Sequence, residues 1–553
     1  MMRKTLMVLT LALTASMAGA ATLNVSKPYF RWLFGGFGFQ HSEASLTALM
    51  TDEFRDQRVL KSFAEISPTF GRVYIGFANI SREQMDRFAD YYDLTFRKAG
   101  TTLYAVPCCI ESFPEKLDPN EYAEKVATNL EYLIKVRKCT KIRYYCLTNE
   151  QVAGGKWDYF RTNNQMDCYV KLNEALFFAF RRHGLDIRIL ATDIAVTTRP
   201  EEAIPSLEWA SEHLNDYLGA YCSHWYVYGR KTEDLGLWKE YQPYFSNLVQ
   251  VALGRHKRYI LGEWGFHPRW GKRGVMVDDV KPYWRSPENA GETVLAKMEV
   301  GLAAMNQGAY ACVDWSFVDY PDPWPFEDGD TPEEHAKYES AKCVWTPDLK
   351  YNKCGIFAWG TTDRDYSSCE EYYAMGHLAR LFRRGATVLP CASDDDMIRA
   401  GAVINPDRSV SIALINRGPA CELTVTSAAA LAKPLRRYVY DSANVPFSAF
   451  NDLQPMSGTV AAKDGRLTVA LPAKSMTFLT TDYEETTPAP VEGVCASDGA
   501  VRWTASGDPD HRYYRVYRDG KQIASTVATS LNVADTNGTF AVRSVNRWLN
   551  EGR

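Results

Sequence analysis

The sequence predicts an α/β fold, a (β/α)8 barrel followed by two small all-β sandwich domains. Between about residues 30 and 385, short runs rich in β-branched and aromatic residues alternate with longer amphipathic stretches, which is typical of βα units. There are eight such runs, and eight parallel strands favour a closed barrel over an open sheet. After residue 386 the runs are short, alternate in polarity and are separated by turn residues, as in antiparallel sandwiches.

The predicted barrel strands span residues 32–39, 71–76, 101–107, 141–147, 186–191, 218–226, 258–263 and 309–317. Helices are predicted between them. One is capped by Asp118, has Pro119 in its first turn, and carries an apolar stripe from Ala123 to Val136. Others are predicted over residues 164–183, 289–305 and 369–384, and the last one stops at Gly385.

The β-rich part of the chain divides at a segment of Pro and Thr. We assign residues 21–385 to the barrel and residues 386–484 to a sandwich packed on it. Residues 486–490 have the composition of a flexible linker. Beyond it, the motifs at residues 514–520 and 542–546 resemble a fibronectin type III module. Residues 485–553 are therefore predicted to form such a module, acting as a spacer rather than as a binding site.

The first 20 residues have the pattern of a bacterial signal peptide. Arg3 and Lys4 are followed by an apolar run over residues 6–13 and by small residues at 18–20. The apolar run is too short to span a bilayer, and no Cys for a lipid anchor lies beside the cleavage site. We expect a secreted or periplasmic chain that starts near Ala21 and has no membrane anchor.

Charge and composition narrow the partners. A net charge of -4 without a basic stripe argues against nucleic acid and anionic membranes. An aromatic content of 13% suits carbohydrate, because the apolar faces of sugars stack on Trp and Tyr rings. Two long aromatic-rich loops, residues 268–287 and 319–351, are predicted to be functional. The oligomeric state stays open.

The chain has 13 cysteines, an odd number for an exported protein. Cys146, Cys222 and Cys312 lie singly in apolar runs, where cysteine commonly acts as a small buried hydrophobe. There is no CxxC pair, so no zinc or other metal site is predicted. Disulfides among the loop cysteines are left open, the candidates being Cys343, Cys354 and Cys369.

Two glutamates directly terminate predicted strands. Glu150 follows strand four, and Glu263 closes strand seven. In a parallel barrel the strand ends meet at the C-terminal face, where active sites lie. Hydrolysis of a glycosidic bond with retention of stereochemistry needs two carboxyl groups about 5–5.5 Å apart. The two glutamates are thus the candidate pair for this chemistry. Asp193, after strand five, and Asp314, inside strand eight, are weaker candidates.

The local motifs around these glutamates resemble the clan A retaining glycoside hydrolases. The resemblance covers roughly residues 30 to 480 and is closest to members of families 30 and 39 that carry an attached β-domain. It rests on the segments at residues 34–39, 148–150, 262–265 and 372–377. The resemblance implies a (β/α)8 barrel, Glu150 as the acid/base, Glu263 as the nucleophile, and no cofactor. Glu150 would donate a proton and then act as a base, while Glu263 stays ionised.

Further site residues follow from the same resemblance. Asn149 would contact the sugar 2-hydroxyl. His224 and Tyr226 share one face of strand six, where they would contact substrate and nucleophile, with Tyr228 as the alternative tyrosine if the strand ends later. Arg72 on strand two would bind the nucleophile.

Two more contacts are predicted at the ends of the barrel strands. Trp315 on strand eight resembles the tryptophan that lies under the sugar that is cleaved, since a pyranose face stacks on an aromatic surface. Gln40 and His41, at the end of strand one, are predicted to touch substrate hydroxyls.

Competing interpretations differ in class. A metal-dependent barrel hydrolase is disfavoured, because strand one lacks a His-x-His motif and only nine histidines are scattered along the chain. A non-catalytic carbohydrate-binding barrel is a second alternative. Within the enzyme interpretation, secretion and the attached modules favour endo action on a β-linked polysaccharide by analogy, with exo action on oligosaccharides as the alternative. The sequence does not identify the sugar.

Overall fold

A computed structural model describes residues 21–28, 33–41, 52–76, 78–107, 118–150, 166–194, 203–228, 235–267, 291–319, 357–358, 370–427, 429, 431, 433–445 and 447–553. The strands up to residue 358 are β1 Ala21–Val25, β2 Leu33–Phe34, β3 Gly36–His41, β4 Phe70–Tyr74, β5 Thr102–Val106, β6 Ile142–Cys146, β7 Arg188–Ile194, β8 Leu218–Tyr228, β9 Arg258–His267, β10 Ala311–Asp314, β11 Val318–Asp319 and β12 Phe357–Ala358.

The later strands are β13 Ala386–Leu389, β14 Cys391–Ser393, β15 Ile398–Ile404, β16 Val410–Asn416, β17 Cys421–Ser427, β18 Leu435–Asp441, β19 Gly458–Val460, β20 Arg466–Leu471, β21 Ser475–Thr480, β22 Cys495–Ser497, β23 Ala500–Arg502, β24 His511–Arg518, β25 Lys521–Thr526, β26 Ser530–Asn532 and β27 Phe540–Asn546. The helices are α1 Asp52–Phe54, α2 Leu60–Ile66, α3 Arg82–Leu94, α4 Phe96–Ala99, α5 Pro119–Glu131, α6 Met166–Arg182, α7 Ala203–His213, α8 Leu237–Leu253, α9 Glu292–Asn306 and α10 Glu371–Leu381, with π-helical turns at Arg55–Val59 and Tyr132–Val136.

Strands β3 to β10 close into an all-parallel barrel in chain order, with β10 paired to β3. The predicted (β/α)8 fold is confirmed, and all eight predicted strands are barrel strands one to eight. Strands six and seven run further than predicted, to Tyr228 and His267, while strand eight is limited to Ala311–Asp314. The predicted helix after Asp118 is present, and the Asp118 carboxylate caps it by accepting from the main-chain N–H of Asn120 at 2.8 Å.

The barrel has an inner and an outer apolar layer. Its interior is filled by side chains from alternate positions of the strands, including Phe70, Tyr104, Cys222 and Ile260. The outer layer packs between strands and helices. It continues onto the face of the sandwich that is turned toward the barrel, at Tyr438 and Phe478. Successive positions of a strand therefore point alternately into the barrel and toward the helices. Only polar side chains on the inward face can reach the open end of the barrel.

The second domain is a sandwich of a seven-stranded and a four-stranded sheet, in the orders β19-β18-β21-β16-β15-β13-β2 and β14-β1-β17-β20. Strand β1 pairs with β14 and β17, and β2 pairs with β13. Strands β1 and β2 therefore belong to the sandwich, which differs from the predicted division that places them in the barrel. The alternating burial of β20 explains why the sandwich is legible in the sequence.

The terminal module consists of two three-stranded sheets, β22-β23-β26 and β25-β24-β27, around a core that includes Trp503 and Tyr514. It packs directly on the other two domains, in contrast to the flexible spacer that the sequence predicts. The fully buried Tyr513 donates to Glu65 of α2 at 2.9 Å. Arg515 pairs with Asp452 of the sandwich at 3.0 Å.

The described part of the chain has eight cysteines, and all eight are free thiols; Cys146, Cys222 and Cys312 are buried, as predicted. The proposed disulfide candidates and the two long aromatic loops lie outside the described residues, as does the predicted signal peptide. Within the described ranges, no helix has the length and apolar character needed to cross a membrane.

Candidate active site

The two candidate carboxylates meet at the C-terminal end of the barrel. Glu263 lies within β9 and is 4% exposed, whereas the Glu150 side chain is 23% exposed and follows β6. One oxygen from each carboxylate lies within 4.8 Å of the other. Glu150 has a φ of 53°, so its backbone is in the left-handed region that side chains rarely adopt. Such conformations cluster at functional sites, where the surrounding structure holds them in place.

Glu263 is held by donors from two other strands. Arg72 of β4 donates to its Oε2 at 2.7 Å, and the buried Tyr226 of β8 donates its hydroxyl proton to Oε1. Burial raises the pKa of Glu263 to about 7, assisted by the charge of Glu150 and opposed by His224 and Arg72. The ionised form therefore depends on the cations that surround it.

Arg72 is the central cation of the site. Its side chain is fully buried, and besides Glu263 it donates to Gln40 at 2.8 Å, to Asp193 at 3.2 Å, and to the Asn149 amide oxygen. Burial opposes its charge, but the surrounding tyrosines and carboxylates raise the pKa of Arg72 well above its ordinary value. One guanidinium thus fixes groups from barrel strands one, four, five and seven, which the planar fork of arginine allows.

His224 bridges two carboxylates from neighbouring strands. Its Nδ1 lies 3.0 Å from Oε1 of Glu150, and its Nε2 lies 2.9 Å from Oδ1 of Asp193. The ring is also 3.7 Å from Glu263. Although burial opposes the charge, Asp193 and Glu263 raise the pKa of His224 to about 10. His224 is therefore an imidazolium at neutral pH, and both ring nitrogens donate.

Asp193 belongs to the site, although the sequence predicts it only as a weaker candidate. It lies inside β7, is fully buried, and accepts from Arg72, His224 and Tyr104. The signal was present, because Asp193 is the only acid in β7 and follows an apolar stretch, and a buried carboxylate needs partners. Asp314, the other weaker candidate, is also buried but pairs with Lys297 of α9 at 3.2 Å.

Three further predicted site residues lie on strand one or directly after strand eight. Trp315 is half-buried directly after β10, and its ring meets that of Tyr74 edge-on with centroids 5.8 Å apart. Gln40 is fully buried and accepts a hydrogen bond from Arg72, and its contact with substrate stays a prediction. His41 is on the opposite face of β3, where it packs against Phe96 in the outer layer with centroids 4.9 Å apart. Its predicted role at the substrate is wrong.

Tyr226, the first of the two predicted tyrosines, contacts Glu263. Strand β8 extends to Tyr228, and the hydroxyl of Tyr226 donates to Glu263. The position of the Tyr226 ring requires glycine at position 265, because a Cβ there would lie 2.7 Å from the ring. A Cβ on Gly262 would likewise lie 2.9 Å from Asp193 and 3.0 Å from the Tyr104 hydroxyl. Glycine at position 265 is thus required by the close approach of strand six, and glycine at position 262 by side chains of strands three and five.

Glu150, His224 and Glu263 place donor atoms within 4.8 Å of one another, as a metal site would. The hydrogen bonds favour a different arrangement. Both nitrogens of His224 already face carboxylate oxygens, so the ring has no free lone pair for a metal while it is protonated. The arrangement is therefore suited to proton transfer between carboxyl groups and a bound substrate.

Comparison with known proteins finds similarity in structure alone. No protein-family model matches the sequence, and no curated protein matches it. A family 30 subfamily 8 xylanase from Clostridium acetobutylicum is similar over 83% of this chain and 99% of its own, with 14% identity and a TM-score of 0.51. The likeness is one of fold.

Two further solved structures show the same likeness. The endo-β1,6-glucanase BT3312 has 15% identity and a TM-score of 0.52, covering 83% of this chain and 93% of its own. A family 51 α-L-arabinofuranosidase from Bifidobacterium longum has 12% identity and a TM-score of 0.55, covering 83% of this chain and 99% of its own. The structural neighbours are thus barrels of clan A glycoside hydrolases, in line with the resemblance drawn from the motifs.

Proposed function

We propose that this protein is a retaining β-glycoside hydrolase that acts by double displacement, with Glu150 as the acid/base and Glu263 as the nucleophile. The observation that carries the proposal is the approach of the two carboxylates to within 4.8 Å at the ends of strands four and seven. Retaining enzymes separate their carboxyl groups by about 5–5.5 Å, whereas inverting enzymes leave roughly 6.5–9.5 Å for a water molecule.

The charge of the site supports this division of roles. Arg72 and His224 supply two positive charges, and three carboxylates face them, those of Asp193, Glu150 and Glu263. One buried negative charge is in excess, so a proton is most stable on one carboxyl group. Asp193 is not that group, because its cationic neighbours lower its pKa despite burial. The proton therefore belongs to the pair of glutamates.

We assign that proton to Glu150 on the basis of the donors around Glu263. Arg72 and Tyr226 both donate to Glu263, and these hydrogen bonds favour its ionised form. Glu150 accepts from His224 through Oε1, which leaves Oε2 for the proton. Glu150 is also the more exposed of the two, so it can reach the leaving group and afterwards water.

The reaction proceeds in two balanced steps. A Glu263 oxygen bonds to the anomeric carbon while the bond to the leaving oxygen breaks, and that oxygen takes the proton of Glu150. In the second step Glu150 removes a proton from water, the water oxygen bonds to the anomeric carbon, and the ester to Glu263 breaks. Both glutamates return to their starting states. Two inversions at one carbon give net retention.

For the substrate, we propose that the enzyme is secreted and acts in endo mode on a β-linked polysaccharide. Two of the similar structures are a xylanase and an endo-β1,6-glucanase. The predicted signal peptide and the attached β-domains point the same way. The alternative within the enzyme class is exo action on oligosaccharides. A non-catalytic carbohydrate-binding barrel is the alternative of a different class, and the complete set of donors around Glu263 argues against it.

The test is digestion of a panel of β-glucans, xylan, galactan and mannan with the product sizes resolved. We compare the wild type with Glu263→Gln, and with Glu83→Gln, whose side chain is 80% exposed on α3, as the matched control. Wild type and control should release oligomer ladders, while Glu263→Gln should lose essentially all turnover and still bind glycan. Monosaccharide alone would indicate exo action. Equal inactivity of wild type and Glu263→Gln on the whole panel would refute the enzyme proposal.

A further inference from the structure

The Asp193 carboxylate accepts hydrogen bonds from four side chains. Its Oδ1 accepts from Nε2 of His224, from the Tyr104 hydroxyl and from the Cys222 thiol, each at 2.9 Å. Its Oδ2 accepts from Arg72 at 3.2 Å. The side chain is fully buried at the end of barrel strand five, so it does not compete with substrate for the glutamates.

Asp193 is also joined to the acid/base through the main chain. Its carbonyl oxygen accepts from the main-chain N–H of Glu150 at 2.9 Å. Both residues have a φ of 53°, in the left-handed region. Strand ends four and five are therefore fixed to each other by a bond that does not involve the Asp193 carboxylate. An Asp193→Asn change removes the charge and keeps this main-chain bond.

We propose that Asp193 is a positioning residue that holds His224 as an imidazolium, so that Nδ1–H of His224 donates to Glu150 throughout the reaction. This inference rests on the proposed function. Asp193 touches neither substrate nor the reacting atoms and acts through His224. The imidazolium stabilises the Glu150 carboxylate at the moment when its proton passes to the leaving oxygen, because an opposite charge at 3.0 Å favours the ionised form.

The groups around His224 account for its charge. Asp193 faces it from strand five, Glu150 from strand four and Glu263 from strand seven, with Arg72 bonded to the far side of Asp193. The charges of Asp193 and Glu263, together with the hydrogen bond to Glu150, outweigh burial, and the pKa of His224 rises to about 10. The largest of these raising interactions is with Asp193, so neutralising Asp193 should return His224 toward ordinary titration.

The consequence for catalysis depends on the leaving group. A poor leaving group needs the proton of Glu150, whereas 2,4-dinitrophenolate leaves without it. Loss of the charge on His224 should weaken proton donation and leave the attack of Glu263 less affected, because Arg72 and Tyr226 still donate to Glu263. General acid catalysis contributes roughly 10²–10⁴-fold. The loss in Asp193→Asn should approach this range for poor leaving groups only.

The first experiment needs no substrate. Protein labelled with ¹³C and ¹⁵N in histidine is titrated by NMR, and the signal of His224 is assigned with His224→Gln. In the wild type and in Asp186→Asn, an exposed control before the same strand, His224 should stay protonated through about pH 9. In Asp193→Asn its midpoint should fall by roughly two or more pH units. A wild-type His224 that titrates near its ordinary value, or no shift in Asp193→Asn, would overturn the inference.

The second experiment compares phenyl and 2,4-dinitrophenyl β-glycosides of the sugars that the wild type cleaves in the panel. Asp193→Asn should lose far more activity on the phenyl series, and in a His224→Gln background it should change this ratio little. An equal loss on both series, as a purely structural role would give, contradicts the inference. That result leaves the proposed function standing, since the proposed function fails only if the wild type cleaves no glycoside at all.

Discussion

Arg72 and Glu263 are separated by 191 residues in sequence and lie 2.7 Å apart at the ends of barrel strands two and seven. The contact is buried at both ends, with exposed fractions of 0% and 5% for the two side chains. Since removing one partner of a buried pair leaves the other charge uncompensated, the arginine is expected to be indispensable to the nucleophile.

Replacing Arg72 by lysine tests this dependence while keeping a positive charge. Lysine lacks the planar fork, so it cannot hold Glu263, Asp193 and Asn149 together. A lost hydrogen bond to a charged group costs about 1.5–3 kcal/mol, which corresponds to a fall in kcat/KM of roughly 10–150-fold. Arg97→Lys, at an exposed helical pair with Asp93, is the control and should keep wild-type activity. Wild-type kcat/KM for Arg72→Lys would speak against the role.

The pH dependence of kcat/KM follows from the raised pKa of Glu263. Its value of about 7 belongs to a coupled pair of carboxyl groups that holds one proton, so activity that needs this proton should fall as the pH rises above neutrality and the pair loses it. In Glu150→Gln the charge that raises the pKa of Glu263 is gone, and Glu263 stays ionised across this range. The alkaline loss of activity should therefore be absent from Glu150→Gln.

The wild type is measured with phenyl glycosides. Glu150→Gln is measured with 2,4-dinitrophenyl glycosides, which do not need the proton of Glu150, in the presence of azide to release the glycosyl-enzyme. Glu83→Gln, on the exposed side of α3, should keep the alkaline loss of activity of the wild type. An alkaline loss that persists in Glu150→Gln would show that the two carboxylates do not share a proton as the geometry requires.

A methyl group at Gly262 should disturb the site without replacing a charged residue. The new Cβ would lie 2.9 Å from Asp193 and 3.0 Å from Tyr104, both fixed and buried. Overpacking of this kind costs about 1–3 kcal/mol, and it displaces the partner of His224. Gly262→Ala should therefore lower both the melting temperature and kcat/KM. Gly507→Ala, where no heavy atom lies within 4 Å, should change neither. Unaltered activity in Gly262→Ala would count against the tight packing of this site.

The terminal module is predicted to be part of the folded body of the protein. Asp452 pairs with Lys61 of α2 at 2.8 Å and with Arg515 of the module at 3.0 Å, so one carboxylate links three domains. Asp452→Asn should lower the free energy of unfolding by about 1.5–3 kcal/mol, because Lys61 and Arg515 each lose one acidic partner and keep another, Glu65 and Glu551 respectively. Asp535→Asn, at an exposed pair with Arg518, should cost at most about 1 kcal/mol.

Acid should weaken the same contact. Burial alone would raise the pKa of Asp452, but Lys61 and Arg515 lower it to about 2. The stabilisation is thus complete above the unfolded value, near pH 4, and is lost as the pH falls through about 2. Denaturant melts from pH 5 to pH 2 should show this loss in the wild type and a reduced loss in Asp452→Asn. Equal stability of the two proteins at neutral pH would restore the interpretation of the module as a spacer.

Much of the fold could be predicted because the barrel strands are apolar runs ended by polar residues, and both glutamates stand at such ends. The position of Ala21–Val25 in the sandwich could not, since its pairing with β17 joins residues some 400 positions apart and leaves no local signal. His41 and Asp193 were misjudged for a related reason. Which face of a strand a polar residue occupies depends on the register of the closed barrel, and a one-position difference exchanges the two layers.

Product stereochemistry tests the central claim most directly, because it follows from the spacing of Glu150 and Glu263 alone. Wild-type enzyme is mixed with a β-glycan that it cleaves, and the anomeric protons of the new reducing ends are followed by NMR before mutarotation. The β anomer should appear first, and the α anomer should grow later at the rate of spontaneous mutarotation. First appearance of the α anomer would contradict double displacement through Glu263.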